Sequence, residues 1–334
     1  MPVEAPLWLP DDDARAAQLV RPSVVAIGNF DGVHRGHQAI LADAGREARA
    51  LDLSVCALTF DPHPAAVLGR SAPPMLTTLA RRAELLGRAG ADRVVVRRFD
   101  REFSAWEPDR FARDLIAARL HAKLVLVGEN FHFGANRAGD RAMLEALGTE
   151  LGFRVCVTAI AGDDQGPFSS TRARAAVLAG DLPAAERVLG RRHAISGVVA
   201  HGQKLGRTIG YPTANLAAVP EMLPPDGIYA VVVDELPKEG SARAIGAGAL
   251  SIGLRPTIEG AVGRTVEVYL LDFDGDLYDR ALRLHFVAKL RDELKFSSLD
   301  ALTAQIGRDV EETRALTLPV VAAVRGEGAQ SSFG

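Results

Sequence analysis

The stretch Val24–Leu41, VVAIGNFDGVHRGHQAIL, decides the fold of the first half of the chain. Val24–Ile27 is an apolar run of strand length, and Gly28 ends it. The loop that follows carries Asn29, Phe30, Asp31 and Gly32. From Gly36 the apolar spacing through Ala39, Ile40 and Ala44 is helical, so His34 and His37 flank the first turn. Strand, glycine-bearing loop and helix start together make an anion site, because free backbone N–H groups and the positive end of the helix dipole converge there. Two imidazoles beside that point can donate to phosphate oxygens and stabilise charge growing on a leaving group. The same pair also reads as two satisfied surface histidines. A zinc pair is a further reading, although no Cys or third His stands nearby to complete it.

This pattern is neither the dinucleotide fingerprint G-x-G-x-x-G nor the P-loop. His34-Arg35-Gly36-His37 resembles the H-x-G-H signature of the nucleotidylyltransferase superfamily. Such enzymes transfer a nucleotidyl group from a triphosphate without a covalent enzyme intermediate.

The 334 residues suggest two domains, each long enough for its own core. A net charge of −3 marks no general nucleic-acid binder, so affinity for phosphate must come from local sites. The two cysteines, Cys56 and Cys156, stand in apolar strand-like runs, the pattern of small core residues in a reducing compartment. No run reaches the length of a membrane span, and the N-terminus has no signal-peptide pattern. The expectation is a soluble, cytoplasmic protein with small-molecule partners, no nucleic acid and no membrane, with weak self-association left open.

Residues 1–22 read as a loose lead-in. Strands are expected at Leu53–Phe60, Arg93–Val96, Lys123–Val127 and Gly152–Ile160, and helices at Thr78–Ala89, Glu107–Leu120 and Arg141–Leu151. Alternating strands and helices imply a parallel, doubly wound sheet, whose ligands bind at the carboxyl ends of the strands. Gly28–His37, Phe60–His63 and Gly128–Phe133 all fall at such ends. In VGENFHFGANRAGD, Asn130 and Phe131 suit a wall that holds a flat ring, or a structural turn with an aromatic plug. FSSTRAR places Ser170 and Thr171 at a helix start with Arg174 one turn in, which fits either capping or a hold on triphosphate oxygens.

Near residue 190 helical periodicity gives way to short alternating strands with Gly/Pro turns, as in an antiparallel barrel or sandwich. A final helix is expected over Leu299–Val324, and residues 327–334 as a disordered tail. In HGQKLGRTIGYPTANL, Gly202, Gly206 and Gly210 interleave with Lys204 and Arg207, a basic flap suited to phosphates. Thr213 and Asn215, two apart on one face, are neutral oxygen donors suited to Mg²⁺ beside nucleotide phosphates, or to an Asx-type turn. Glu267 alternates with Val266 and Val268. If those valines face solvent, Glu267 points into the barrel, where it can act as a general base; otherwise it is an ordinary exposed strand residue.

Taken together these motifs resemble, over about residues 20–315, the bifunctional prokaryotic riboflavin kinase/FMN adenylyltransferase family, or FAD synthetases. The residues that carry the resemblance are GNFDGVHRGH, TFDPHP, VGENFHFG, NRAGD and SSTRAR, then GRTIGYPTAN, DGIYA, LRPTI, VEVYLLDFDGDLY and LRDELKFSSLDALTAQI. The resemblance implies an α/β adenylyltransferase domain over 1–188 and a β-barrel kinase domain over 189–326. The barrel would phosphorylate riboflavin from ATP, and the N-terminal domain would join FMN to AMP, releasing pyrophosphate. By resemblance Glu267 is the kinase base and Thr213 and Asn215 hold Mg²⁺. Gly202, Lys204, Gly206, Arg207, Gly210 and Pro212 serve ATP, and Arg291, Glu293 and Phe296 the flavin side. In the N-terminal domain His34 and His37 are implied to be catalytic, with Gly28, Asn29, Phe30, Asp31, Gly32, Ser170, Thr171 and Arg174 binding ATP. His63, Asn130 and Phe131 would line its flavin or nucleotide pocket. The family pattern is departed from at His132, Glu129, His193 and Asp279. A kinase with one working half and a flavin-binding regulator are the alternative readings.

Overall fold

In a computed structural model the described residues are 7–9, 21–201, 206, 209–256, 262–326 and 332–334. Contacts divide the chain into two compact units, Met1–Ser170 and Thr171–Gly334. The two helices that precede the barrel therefore group with it, whereas a boundary at 188 would assign them to the first unit.

The first unit is built on a six-stranded parallel sheet of β1 (Leu7–Leu9), β2 (Ser23–Ile27), β3 (Ser54–Asp61), β4 (Arg93–Arg98), β5 (Ala122–Gly128) and β6 (Arg154–Thr158). The strand order is β1-β4-β3-β2-β5-β6. Every residue of β2 is buried, as a central strand covered on both faces requires. Alternation sends Val25, Ile27, Val125 and Val127 into one apolar layer, and Val24, Ala26, Leu124 and Leu126 into the other. Helix α1 (Arg35–Leu51) follows β2 and buries Leu41, Ala44 and Ala48. Helix α2 (Leu79–Arg88) is capped by Thr78, whose side chain accepts from the Arg81 N–H. The segment expected as one helix over Glu107–Leu120 is a short α-turn, Pro108–Arg110, continued as a π-helix, Phe111–Arg119, here α3. Helix α4 (Arg141–Leu151) matches its expected span and ends at Gly152 in the left-handed region. β1, in what reads as a loose lead-in, adds an edge strand parallel to β4.

The unit boundary falls after the first residue of α5 (Ser170–Ala179), so the second unit opens with the rest of α5 and with α6 (Leu182–Leu189). Six antiparallel strands then close a barrel in the order β10-β13-β12-β11-β14-β9. They are β9 (Ala194–Ala200), β10 (Ala214–Ala217), β11 (Gly227–Leu236), β12 (Arg243–Pro256), β13 (Val262–Leu270) and β14 (Ala281–Arg291); a small hairpin of β7 (Gly162–Asp163) and β8 (Gly166–Pro167) precedes them. Closure removes the exposed sheet edges, which decides between barrel and sandwich. The interior is filled by Tyr229, Val231, Val233, Leu250, Ile252, Val266, Val268, Leu282 and Leu284, with Leu182 of α6 packed against them. His193 stacks on Phe286 with centroids 5.7 Å apart while its Nε2 meets the Met222 carbonyl at 2.8 Å.

The last helix, α7 (Leu299–Gly326), packs over the outside of β11, β12 and β14. Residues 332–334 do not form a free tail. Phe333 is buried beside Val232, Ala247 and the α7 residues Val320, Val321 and Val324, and its N–H donates to Asp234 Oδ1 at 3.0 Å. No helix among the described residues is long and apolar enough to cross a membrane.

Candidate functional site

In the first unit the strand order turns between β2 and β5, and a crevice opens outside the carboxyl ends of strands at such a switch. The loops after β2, β3 and β5 all leave from that end. His34 is the N-cap of α1, and its Nδ1 accepts from the His37 N–H at 3.4 Å. That bond places the proton of neutral His34 on Nε2. The two imidazoles stack with centroids 3.6 Å apart, and the Phe30 ring edge meets His37 at 5.0 Å. His37 Nδ1 is buried with no hydrogen-bond partner among the described residues. Burial, then the neighbouring charges of His34 and Arg82, hold the His37 pKa well below its ordinary value. His37 is therefore a neutral donor at pH 7.

Several residues expected to touch ATP build the loop that carries the histidines. The Phe30 side chain is fully buried beneath it. Asp31, 4 % exposed, accepts from the N–H groups of Leu76 and Thr77 and from Thr77 Oγ1, at 3.1–3.2 Å. Gly32 has φ +81 and donates its N–H to Thr77 Oγ1 at 3.0 Å. A side chain at Gly28 would press on the Phe30 ring at 3.1 Å. Ser170 Oγ donates to the Asp31 carbonyl at 2.8 Å, bracing the loop from the far side of the unit's sequence. Asn29 is exposed, and its carbonyl accepts from Thr59 Oγ1 at 3.0 Å. Thr171 is exposed and Arg174 half-buried on α5, in the second unit.

His63 caps the turn Pro64–Val67 through Nδ1, which accepts from the Ala65 N–H at 3.2 Å. Asn130 is exposed, and Phe131 stacks on Phe133 at 5.6 Å with the rings 16° apart. Phe133 is a buried aromatic plug, and half-buried Phe131 stacks on it. Arg82 was not legible as a site residue. Its buried guanidinium reaches Thr59 Oγ1 at 3.4 Å, the Phe60 carbonyl at 3.3 Å and Asp31 at 3.9 Å, joining the loop after β2 to the C-terminal end of β3. An arginine in a helix with a strong apolar face carries no sequence signal for this.

In the second unit Val266, Val268 and Leu270 point into the barrel. Glu267 therefore lies on the outer wall, the opposite of the inward placement considered from alternation. Leu216 is also internal, so Asn215 faces outward. Asn215 and Glu267 are direct cross-strand partners, and Thr213 Oγ1 donates to Glu267 Oε2 at 3.4 Å. A threonine hydroxyl that donates its proton to a carboxylate keeps lone pairs for a cation. The described residues contain no cluster of three or more His, Cys, Asp or Glu that could hold a metal. Two neutral oxygens fit a hard divalent cation that is bound jointly with phosphates. Thr213, Asn215 and Pro212 line one pocket with Phe273, Leu277 and Tyr278. Gly206 accepts the Tyr211 N–H at 2.9 Å, and a Cβ there would lie 2.2 Å from the Tyr211 carbonyl oxygen. Gly210 has φ +83, which suits glycine. Gly202, Lys204 and Arg207 lie outside the described residues.

On the flavin side of the expected site, Arg291 is held bidentately by Asp309 of α7, with Nε–Oδ1 3.0 Å and Nη2–Oδ2 2.6 Å. Asp309 also accepts from Gln305 Nε2 at 2.8 Å. Arg291 lies over the Phe296 ring at 5.9 Å. Glu293 is exposed, its carboxylate folded against Gly253, where a Cβ would fall 1.9 Å from Oε1. Asp309, missed from sequence, is a single acid in an amphipathic helix, a common surface pattern.

Comparison with known proteins agrees with this division. Residues 16–172 match the family model described as FAD synthetase, and residues 189–317 that described as riboflavin kinase. The bifunctional riboflavin kinase/FMN adenylyltransferase of Pseudomonas fluorescens is 41% identical over 299 residues, 90% of this chain and 94% of that protein. The protein of the same name from Escherichia coli K12 is 42% identical over 290 residues, 86% and 90%. A solved structure from Streptococcus pneumoniae, named as a macrolide-efflux protein, superposes with TM-score 0.76 at 30% identity, over 88% of this chain and 94% of its own. The chain belongs to the bifunctional riboflavin kinase/FMN adenylyltransferase family.

Proposed function

We propose that the two units catalyse consecutive steps of FAD biosynthesis, phosphorylation of riboflavin by the barrel and adenylylation of FMN by the α/β unit. Family membership over both units supports the pair of activities. The observation that carries the assignment of the first step is the juxtaposition of Thr213, Asn215 and Glu267 on the outer barrel wall. Glu267 accepts the proton of the terminal ribityl hydroxyl as that oxygen attacks the γ-phosphorus of ATP. Thr213 and Asn215 would hold Mg²⁺, which supplies charge neutralisation at the phosphates. Gly206, Gly210 and Pro212 are assigned to those phosphates. Arg291, fixed by Asp309, shapes the flavin side together with Glu293 and Phe296.

In the α/β unit, stacked His34 and His37 donate to the α-phosphate and the departing pyrophosphate as FMN attacks. His37 is a neutral donor on a rigid turn capped by His34, so the site works by positioning and charge stabilisation. Gly28, Asn29, Gly32 and Ser170 are assigned to ATP, with Asp31 and Phe30 acting through the loop they anchor. His63, Asn130 and Phe131 form the flavin or nucleotide wall. A cytoplasmic location fits the nucleotide substrates and the two free cysteines.

The test is separation of the steps. Glu267→Gln abolishes FMN formation while supplied FMN is still adenylylated, and His37→Ala does the reverse. Equal loss of both activities in either variant would contradict the two-site assignment.

A further inference from the structure

The registers of five neighbouring strands align one row of residues across the barrel. Asn215 stands opposite Glu267, Glu267 opposite Ser251, Ser251 opposite Ile228, and Ile228 opposite Arg291. The two ends of this row are groups already placed in the kinase site. Ser251 is its middle, and it is flanked along β12 by Leu250 and Ile252, both fully buried in the barrel. Strand alternation therefore turns Ser251 outward, onto the wall that carries Glu267. Directly opposed residues in antiparallel strands hold their Cβ atoms about 5 Å apart, within reach of one shared ligand.

Ser251 is half-buried, and among the described residues its hydroxyl takes part in no hydrogen bond. Serine gains little in mid-strand, where β-branched and aromatic residues pack better. Next on the same face is Gly253, whose missing side chain leaves room for the Glu293 carboxylate. The wall thus offers, in order, a carboxylate, a neutral hydroxyl and a guanidinium, which is the chemistry of a chain of hydroxyl groups ending at the base.

Resting on the kinase reading above, we infer that Ser251 is a specificity-determining residue of that site. It hydrogen-bonds a secondary hydroxyl of the acceptor's polyol chain and so sets the terminal hydroxyl on Glu267. The full-length protein and its Ser251→Ala and Ser251→Thr variants are assayed with ATP and two acceptors. One is riboflavin, and the other is a flavin whose N10 chain is an ω-hydroxypentyl group without secondary hydroxyls. Losing one neutral hydrogen bond lowers kcat/KM for riboflavin about tenfold in Ser251→Ala. Ser251→Thr restores most of it, and Ser251→Ala has no effect on the deoxy acceptor. Unchanged turnover of the deoxy acceptor and an unchanged urea midpoint report that the barrel of each variant has folded. No loss with riboflavin, or equal losses with both acceptors, would overturn the role of Ser251 alone. Failure of the unsubstituted protein to phosphorylate either flavin would overturn the kinase reading and this inference with it.

Discussion

The imidazoles of His34 and His37 stack at 3.6 Å between centroids, tilted by 26°, and Phe30 makes a T-shaped contact with His37 at 5.0 Å. Protonating His37 in that place sets a cation in a buried setting beside His34 and near Arg82, which is why its pKa is lowered. Unfolded, the same histidine titrates near about 6.5. Between its lowered native value and about 6.5 only the unfolded chain takes up the proton, so native stability falls as pH drops through that window. His37→Gln, which cannot titrate, flattens this pH dependence. Urea unfolding of the wild type and the variant at several pH values checks it, and identical slopes would contradict the burial of His37.

Asp31 is an anchor, holding Leu76 and Thr77 through their N–H groups and Thr77 Oγ1. Asp31→Asn points amide hydrogens at backbone donors and costs about 2–4 kcal/mol. A lowered urea midpoint and reduced adenylylation, with riboflavin phosphorylation retained, are the expected results.

Asp309 stabilises the barrel by pairing with Arg291, the two side chains being 6% and 17% exposed. Removing one partner of a mostly buried pair leaves the other charge uncompensated, so Asp309→Ala costs about 3 kcal/mol. Kinase activity falls with it because Arg291 loses its fixed orientation. Denaturant unfolding and FMN formation are the two readouts.

Asp279 adopts φ +62 while its N–H donates to the Val199 carbonyl at 2.9 Å. This explains why glycine suits the position. Asp279→Gly raises stability by about 0.5 kcal/mol and Asp279→Ala lowers it by about 1 kcal/mol. Thermal unfolding of both variants tests the opposite signs.

Much of the fold was legible because β2 and β5 carry unbroken apolar runs and α1 begins at a clear strand–glycine–helix junction. The loop roles were less so. Phe30 and Asp31 stand within the motif, yet their side chains turn inward to hold it, and a motif names positions without giving side-chain directions. The alternation of Val266, Glu267 and Val268 showed that Glu267 differs in face from the valines, but not which face was inside. The closed barrel settles it, since Val266, Val268 and Leu270 fill the interior and only the outer wall remains for a charge. Leu7–Leu9 joins the sheet by three backbone partners on β4, too short a segment to show periodicity. Arg82 and Asp309 were missed because each is a single charge in a helix, where the usual environment is solvent.

The most direct test of the account is a time course with purified protein, riboflavin, ATP and Mg²⁺, resolving riboflavin, FMN and FAD by chromatography. The account predicts that FMN rises first and FAD follows at its expense. Accumulation of FMN without FAD, or no conversion of riboflavin, would contradict it.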